Sequence, residues 1–424
     1  MPYFILFVVI CAICMNSWVH SALGPAPAVI WADGIGFYSY LPATFIHHDW
    51  NMSFLNPHWS FCISDINQIV LRNSMGVSVM IFPFFITAHG LTLLMETHVP
   101  DGFSAFYQFF VLVSALTYCV LGLLLTYKTL ISKFPKNIAI LALTAITFGC
   151  GTFFYTTFHA SYSHIYSFAM IALFVYLVAY EEKYKKRRWY YFILGLVLGL
   201  ITLCRNVNIL IGLFWLVWDV YSIESFKTRI KSLCSKKVLI PMFSGFFLVI
   251  LPQMIYWKIQ AGHFIVNTYT FQNVVCKNNP SMCFKEHFDW FTPHFIGNLF
   301  SHKKGLFYYY PVMVYALCGF VWLKKYFKEA FFATIAFLIP AVYIVVSWSE
   351  WWYGFSFGPR PYVDFMSIFA ILIACCLKGI KDCENKIVWK IALAYFFLLI
   401  IISLAMMFLI LTFHCNSHGS LILK

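Results

Sequence analysis

Residues 163–204 alternate between apolar and charged sequence: SHIYSFAMIALFVYLVAY at 163–180, EEKYKKRR at 181–188 and WYYFILGLVLGLITLC at 189–204. Neither apolar run contains Asp, Glu, Lys or Arg, and five of the eight residues between the runs are Lys or Arg. As helices rising about 1.5 Å per residue, the runs would be roughly 24–27 Å long, close to the ~30 Å hydrocarbon core of a bilayer. This stretch therefore predicts two helices that cross a membrane and are joined by a basic turn.

The same pattern continues in both directions along the chain. Apolar runs long enough to cross, or nearly so, lie at 3–23, 106–127, 138–157, 163–180, 189–204, 207–221, 239–257, 310–323, 330–347, 365–377 and 388–413. The 424 residues are 62% hydrophobic and 11% charged, with a mean hydropathy of +0.78. Soluble domains are roughly 45–50% apolar and about 25% charged. We therefore predict an all-α polytopic membrane protein with about 11 transmembrane helices, in which residues 1–424 form a single integral membrane domain.

The positive charge is concentrated in alternate connections. Those after the second, fourth, sixth, eighth and tenth apolar runs hold 20 of the 29 Lys and Arg residues but only 7 of the 16 Asp and Glu residues. These connections therefore account for the entire net charge of +13. By the positive-inside rule they are cytoplasmic, so the N-terminus is also cytoplasmic and the long polar connections are extracytoplasmic. We expect the inner or plasma membrane of a bacterium, and no nucleic-acid partner is needed to explain the charge.

Residues 76–95 (GVSVMIFPFFITAHGLTLLM) would break this alternation if they crossed the membrane. They contain Pro83, His89 and Gly90, and no basic cluster flanks them. We therefore expect a juxtamembrane helix that lies at or dips into the outer leaflet. Three external segments are then long enough to build a site, namely the first external loop at 24–105, the large loop at 258–309 and the loop at 348–364.

The first external loop contains WADGIGFYSYLP at 31–42. Asp33 follows the first apolar run closely, so its carboxylate is expected near the membrane surface, where it could accept a proton from a hydroxyl nucleophile. Tyr38, one of the aromatic residues that follow, is a candidate for substrate binding. The simpler alternative for Asp33 is an Asx turn that caps a short helix starting near Phe37.

Three cations lie where external loops meet apolar helices. Arg205 separates runs of 16 and 15 residues, each covering only about 24 Å, so its side chain is expected at or below headgroup level. An Arg at that depth is costly unless it is paired, and it marks a candidate functional site. Arg360, in GPRPY at 358–362, and Lys304, in SHKKGLF at 301–307, are placed similarly. Converging cations suit a lipid phosphate, which Arg can bind bidentately. Ordinary snorkelling to phospholipid headgroups is the alternative.

Other polar residues are secondary candidates. His164, at the start of an apolar run, and Glu350, in SEWWY at 349–353, could bind substrate, and ordinary interfacial packing is the alternative for both. Cys276 and Cys283 share one external loop and could form a disulfide. Most of the 14 cysteines lie in apolar stretches, where a free thiol packs as a small hydrophobe. No cofactor is indicated, and a divalent metal is left open.

Five segments spread over the whole chain together resemble a known family. They are Trp31–Pro42, His159–Tyr166, Cys204–Asn208, Lys303–Pro311 and Phe355–Asp364. In order and topology the chain looks like the bacterial polytopic glycosyltransferases of the C-type (GT-C) fold. These are akin to the dolichyl-phosphate-mannose protein mannosyltransferases and the aminoarabinose lipid A transferases.

The resemblance implies a polyprenyl-phosphate-linked sugar donor, an inverting transfer at the extracytoplasmic membrane face, and an acidic base in the first external loop, which maps onto Asp33. The adjacent acidic pair of many relatives is here only Asp33, between Ala32 and Gly34. The expected partners are therefore the lipid-linked sugar, an acceptor glycan, lipid or protein, and membrane lipids.

Two other functions fit the same helices. A carrier or flippase for a lipid-linked saccharide would use the cations to bind phosphate but would need no base. Transporters, however, usually show inverted repeats and ionisable groups near the midplane, neither of which is visible here. A non-catalytic membrane scaffold would keep the helices and lose only the base.

Overall fold

The computed structural model describes residues 1–22, 29–96, 98–278, 286–354 and 356–419. The helices are α1 (Pro2–Ala22), α2 (Asp33–Tyr38), α3 (Tyr40–Phe45), α4 (Gly76–Met95), α5 (Ala105–Leu130), α6 (Lys136–Phe148), α7 (Thr152–Thr157), α8 (Ser163–Ala179), α9 (Glu181–Tyr184), α10 (Tyr190–Cys204), α11 (Ile211–Leu216), α12 (Ile223–Leu233), α13 (Lys236–Ala261), α14 (Val274–Asn278), α15 (Phe295–Phe300), α16 (Leu306–Tyr309), α17 (Met313–Tyr326), α18 (Phe331–Val346), α19 (Met366–Lys381) and α20 (Lys386–Gly419). Short 3₁₀ helices cover Asn206–Leu210, Thr268–Thr270, Lys328–Ala330 and Arg360–Phe365. The strands are β1 (Phe61–Ile63), β2 (Ile69–Leu71) and β3 (Gln272–Asn273).

The protein is an integral membrane protein built from apolar helices. Within the described residues, six helical segments are long and apolar enough to cross a membrane: Gly76–Met95, Ala105–Leu130, Lys236–Ala261, Lys328–Val346, Arg360–Lys381 and Lys386–Thr412. Shorter apolar helices, such as Lys136–Phe148 and Ser163–Ala179, pack among them. Helices suit this setting because each satisfies its own backbone hydrogen bonds in lipid. The figure of about 11 transmembrane helices stays a prediction.

The five basic connections contact one another at one end of the bundle, called the basic end below. The linking contacts are Tyr180 with Lys128, Lys133 with Glu329, Asp219 with Glu329, Arg229 with Glu181, and Tyr326 with Asp382. The basic connections therefore share one end of the bundle. The long connections also contact one another, through Arg72 with Glu286, Asn298 with Trp351, and Arg360 with Asp33, and their end is called the loop end.

Helix α4 packs against α10 and α5. Gly76 packs so closely on the backbone of Leu203 and Cys204, at the end of α10, that a Cβ at this position would collide with it. Further along α4, His89 Nδ1 lies 2.6 Å from the Tyr107 hydroxyl, near the start of α5. The length and composition of α4 would allow it to cross a membrane, and its place at the outer leaflet stays a prediction.

A small antiparallel sheet at the loop end departs from the all-α expectation. Strand β1 pairs with β2 and also with β3, which comes from a distant connection, in the order β2-β1-β3. Ser64 Oγ donates to Gln260 O over 2.7 Å and fixes the sheet to the end of α13. The strands have only two or three residues each, too few to give a clear alternating pattern in the sequence.

Close helix packing uses glycine. A Cβ at Gly195 in α10 or at Gly245 in α13 would collide with backbone of the facing helix. Small residues at such contacts let two helix backbones approach, which is the main route to tight association in lipid. Helix α19 is almost wholly buried in the centre, whereas α13 and α20 leave most of their apolar side chains at the periphery. The polar side chains that could form a site are therefore at the loop end.

Candidate active site

Asp33 is presented by a strained turn. Gly34 N donates to Trp31 O over 2.9 Å, and Ala32 between them has φ 44° and ψ −129°. These values match the first central position of a type II′ turn, which Gly normally occupies. A non-glycine residue there costs on the order of 1–3 kcal/mol, and such strain concentrates at functional sites. The turn sets Asp33 as the first residue of α2.

Asp33 does not cap this helix. The residue at the cap position is Ala32, and no side chain caps α2. The capping alternative considered for Asp33 therefore has no support in the structure. Ser161 packs against the turn so closely that a Cβ at Gly34 would collide with it. The Ser161 hydroxyl also donates to Val29 O over 2.7 Å, which holds the segment before the turn in place. The carboxylate is thus free to interact with other groups.

The partner of Asp33 is Arg360. Arg360 Nη1 lies 2.7 Å from Asp33 Oδ2, and the guanidinium lies 5.5 Å from the centre of the Tyr162 ring. The Asp33 side chain is 44% exposed, yet burial by surrounding protein is the largest single influence on its pKa. This combination is expected of a carboxylate inside a solvent-accessible recess. Burial alone would raise the pKa of Asp33, but the Arg360 charge and hydrogen bond outweigh it and hold the pKa below its ordinary value.

A second carboxylate, Asp364, organises the floor of the recess. It is fully buried, and His164 Nδ1 lies 2.8 Å from its Oδ1. Asn208 Nδ2 donates to Oδ2 over 2.6 Å, and Arg205 Nε lies 3.6 Å from the same oxygen. Arg205 Nη1 also lies 3.2 Å from His164 Nδ1. Asp364 and Arg360 belong to one 3₁₀ helix, so this helix carries both the partner of Asp33 and the anchor of Arg205.

Lys304 is the third cation of the site. Its ammonium donates to Ser356 O, four residues before Arg360. Burial, together with the charges of Arg360 and Lys303, lowers the pKa of Lys304 to about 8. The neighbouring Lys303 instead lies over the Trp352 ring, 3.5 Å from its centre. Lys304 is therefore directed inward and Lys303 toward the aromatic surface.

The recess carries a net positive charge. Arg360 is balanced by Asp33 and Arg205 by Asp364, and no carboxylate among the described residues forms an ion pair with Lys304. Two arginines and one lysine against two carboxylates leave one excess cation. An anion can add to such a cluster without leaving a carboxylate unpaired. The arrangement fits a phosphate next to a carboxylate that can accept a proton.

Two expected substrate-binding residues lie elsewhere. Tyr38 is fully buried, and its hydroxyl donates to Gly102 O over 2.6 Å. It packs on Phe85 and Phe103, because its position on α2 is opposite to that of Asp33, so its role is structural. Glu350 forms no ion pair or hydrogen bond with the Asp33–Arg360 pair among the described residues, and burial raises its pKa against the opposing charge of Lys303.

The proposed disulfide partner Cys283 lies outside the described residues, which end at 278 and resume at 286 in this loop.

Neither the hydrogen bond from Asn208 to Asp364 nor the central position of Asp364 was predicted from the sequence. Both residues lie within the segments that carry the resemblance, Asn208 in CRNVN at 204–208 and Asp364 in RPYVD at 360–364. An Asp at the start of an apolar run is rare, and its place four residues after Arg360 was the available signal. For His164 the alternative was ordinary interfacial packing, whereas its partner is this buried carboxylate.

The donor set does not form a metal centre. Among the described residues, no three His, Cys, Asp or Glu side chains are close enough to hold a metal ion together. The one CxxC spacing, Cys11 to Cys14, is on the apolar helix α1. Asp33 and Asp364 each form an ion pair with an arginine.

Two solved structures share the fold of the chain. No protein-family model matches the chain, and no curated protein matches it either. The apo form of the Archaeoglobus fulgidus oligosaccharyltransferase aligns with a TM-score of 0.53 at 11% identity, over 97% of this chain and 56% of that one. Its complex with Zn and sulfate aligns with a TM-score of 0.53 at 12% identity, over 94% and 52%. The chain spans about half the length of these proteins. It has the GT-C fold of the membrane glycosyltransferases.

Proposed function

We propose that this protein is an inverting glycosyltransferase that moves a sugar from a polyprenyl-phosphate donor to an acceptor hydroxyl. The observation that carries the proposal is the Asp33 carboxylate in the recess, bound to Arg360 and not used as a helix cap. The fold supports it, because the solved structures that share it are of an oligosaccharyltransferase. Asp33 is the catalytic base, and Arg205, Arg360 and Lys304 bind the phosphate of the donor.

A lipid phosphate suits the site better than a soluble nucleotide donor. Arg205 follows the last residue of α10, and Arg360 begins the 3₁₀ helix that leads into α19, so both cations lie where apolar helices end. A lipid-anchored phosphate is delivered at that level, with its chain among the helices. The planar guanidinium groups can each bind two phosphate oxygens, and Lys304 adds a point charge.

The chemical step needs only groups already in the recess. An Asp33 carboxylate oxygen takes the proton of the acceptor hydroxyl as that oxygen attacks the anomeric carbon. The bond between the anomeric carbon and the phosphate oxygen breaks, and its electron pair leaves with the lipid phosphate. Arg205, Arg360 and Lys304 stabilise the negative charge that grows on this leaving group. Attack opposite to the leaving phosphate inverts the anomeric centre.

Arg360 links donor binding to the strength of the base. In the free site it holds the pKa of Asp33 low, so the carboxylate is ionised but weakly basic. A donor phosphate adds negative charge beside Asp33 and competes for the same guanidinium. Both effects raise the pKa of Asp33, which makes it a better base only when the donor is present.

The reaction is proposed to occur on the extracytoplasmic face of a bacterial inner or plasma membrane, with the N-terminus in the cytoplasm. The support is the concentration of Lys and Arg at the basic end, which the positive-inside rule assigns to the cytoplasm. Single cysteines introduced into a Cys-depleted background test this orientation. Asp65→Cys should react with an impermeant thiol reagent in intact cells, whereas Lys185→Cys and Lys231→Cys should react only after permeabilisation. Labelling at 185 in intact cells would reverse the assignment.

Transfer from radiolabelled undecaprenyl-phosphate glucose and mannose in proteoliposomes tests the function itself. The parent chain should release polyprenyl phosphate and form a labelled product, and Asp33→Asn should not. A carrier would move the lipid-linked sugar across the bilayer and form no product in either case. A scaffold would do neither.

A further inference from the structure

A second polar cluster lies beside the base and is not used by the proposed reaction. Arg72, directly after β2, and Glu286, from the connection that follows α13, form an ion pair with Nη1 2.6 Å from Oε2. Arg72 N donates to Ser60 O over 2.8 Å. The residue after Arg72, Asn73, packs against Gly36 of α2 together with Ser60. Asn73, next to Arg72 in the chain, therefore lies beside the residue one turn after Asp33 in α2.

An aromatic surface adjoins this ion pair. The Arg72 guanidinium is 5.1 Å from the centre of the Tyr269 ring, and Thr268 Oγ1 donates to Arg72 O over 2.8 Å. Tyr269 contacts Trp348 edge to face at 5.3 Å, and it is 46% exposed. Phe288 packs on Trp348 at 4.7 Å and extends the surface. Aromatic rings next to a carboxylate and a guanidinium thus form one patch.

This patch and the base belong to the same recess. Burial raises the pKa of Glu286, and the negative charge of Asp33 contributes in the same direction against the opposing effect of Arg72. Burial also raises the pKa of Tyr269, and Asp33 and Arg205 both act on it. Like Asp33, Tyr269 is open to solvent and yet surrounded by protein, which places it on the wall of a concavity. A molecule held against Tyr269 would lie next to the carboxylate of Asp33.

From these contacts we infer that Arg72, Glu286 and Tyr269 form the acceptor subsite and that the acceptor is a carbohydrate. The inference rests on the proposed function, since it names the acceptor of that reaction. A sugar ring presents an apolar face and a rim of hydroxyls. Tyr269 offers an exposed aromatic face, Glu286 accepts hydrogen bonds and Arg72 donates them. The hydroxyl that reacts gives its proton to Asp33, so no further reactant is required.

The composition of the patch argues against the two other acceptor classes. The patch presents a guanidinium, a carboxylate and a phenol side by side, and such polar groups suit the hydroxyls of a sugar better than the acyl chains of a lipid acceptor. A peptide strand would need free backbone donors and acceptors to pair with. The patch itself consists of the side chains of Arg72, Glu286 and Tyr269 and offers no such row of backbone groups.

Two exposed tyrosines give a matched pair of variants. Tyr269→Ala removes the ring of the patch, and Tyr308→Ala removes an equally exposed ring, 47% against 46%, elsewhere at the loop end. Tyr269→Phe keeps the ring and loses only the hydroxyl, so it controls for folding. The purified proteins are first applied to an array of immobilised oligosaccharides. Transfer from undecaprenyl-phosphate glucose and mannose is then measured to soluble di- to tetrasaccharides, a Ser-containing hexapeptide and octanol.

We expect the parent to bind oligosaccharides on the array. In Tyr269→Ala this binding should weaken, and the KM for the oligosaccharide should rise on the order of tenfold. Tyr269→Phe and Tyr308→Ala should stay near the parent, and donor binding should be unchanged in all three. Transfer to the peptide or octanol alone, or equal effects of Tyr269→Ala and Tyr308→Ala, would overturn the inference and leave the proposed function standing. Binding to the array that depends on Tyr269 without transfer to any acceptor would support the subsite and refute the proposed function.

Discussion

Replacing Asp33 by Asn removes one negative charge and the ability to accept a proton at neutral pH, with almost no change in shape. Loss of a general base typically lowers the rate by about 10²–10⁴-fold, or roughly 3–5 kcal/mol of transition-state stabilisation. The ion pair with Arg360 is partly open to solvent, since the Asp33 side chain is 44% exposed. Its loss should therefore change the free energy of unfolding by no more than about 1 kcal/mol. Activity should fall far more than stability.

The same substitution makes a less obvious prediction about the donor. Arg360 is shared between Asp33 and the donor phosphate, so weakening its bond to residue 33 leaves more of its charge for the phosphate. Asp33→Asn should therefore bind undecaprenyl-phosphate sugar as tightly as the parent or a few-fold more tightly. Binding is measured in proteoliposomes alongside single-turnover transfer and thermal unfolding. Asp65→Asn, at an exposed turn between β1 and β2, is the control and should behave as the parent.

Two results would refute this reasoning. Transfer close to the parental rate in Asp33→Asn would show that the carboxylate is not the base. Weaker donor binding with an unchanged rate at saturating donor would show that Asp33 only holds Arg360 in place. The two patterns separate a chemical role from a positioning role, because they change kcat and KM differently.

Three further predictions follow from the cation cluster and the turn. Lys304 loses its proton as the pH rises through its pKa of about 8. Because the site then loses one positive charge, kcat/KM for the donor should fall above that pH. Lys304→Arg keeps the charge at alkaline pH and should remove this decrease from the pH profile. Arg205→Ala and Arg360→Ala should weaken donor binding. Lys at either position should restore it only in part, because Lys lacks the planar group that binds two phosphate oxygens. Unchanged donor binding in both Ala variants would show that these residues do not bind the phosphate. Ala32→Gly should relieve the positive φ and raise the free energy of unfolding by about 1 kcal/mol, measured by thermal unfolding, while turnover drops because the carboxylate is less firmly placed.

The helices and the concentration of positive charge in alternate connections could be predicted from the sequence because both depend on local composition. A membrane imposes the length of each apolar run, and the basic clusters mark alternate turns independently of which helices touch. The juxtamembrane position of residues 76–95 stays a prediction from charge and helix-breaking residues. Asp33, Arg205 and Arg360 stood out because ionisable residues expected near membrane depth, outside the basic clusters, are rare.

The pairing of these residues could not be predicted in this way. Asp33 with Arg360, and His164 with Asp364, join positions about 200 or more residues apart, and nothing local encodes which loop meets which. Tyr38 failed as a substrate ligand for a related reason. It follows Asp33 by only five residues, yet a helix turns about 100° per residue, so five residues carry it to the opposite face.

The distances along the chain between the paired residues also set the order of events during biosynthesis. Asp33 enters the membrane environment with the first helices, whereas its partner Arg360 and the anchor Asp364 emerge from the ribosome more than 300 residues later. At about 5–20 residues per second, roughly tens of seconds separate the two. Throughout that time the nascent chain has inserted helices, but Asp33 lacks its partner Arg360 and Arg205 lacks its anchor Asp364. On the proposed function, a chain that ends before these two residues occupies the membrane without binding the lipid-linked donor.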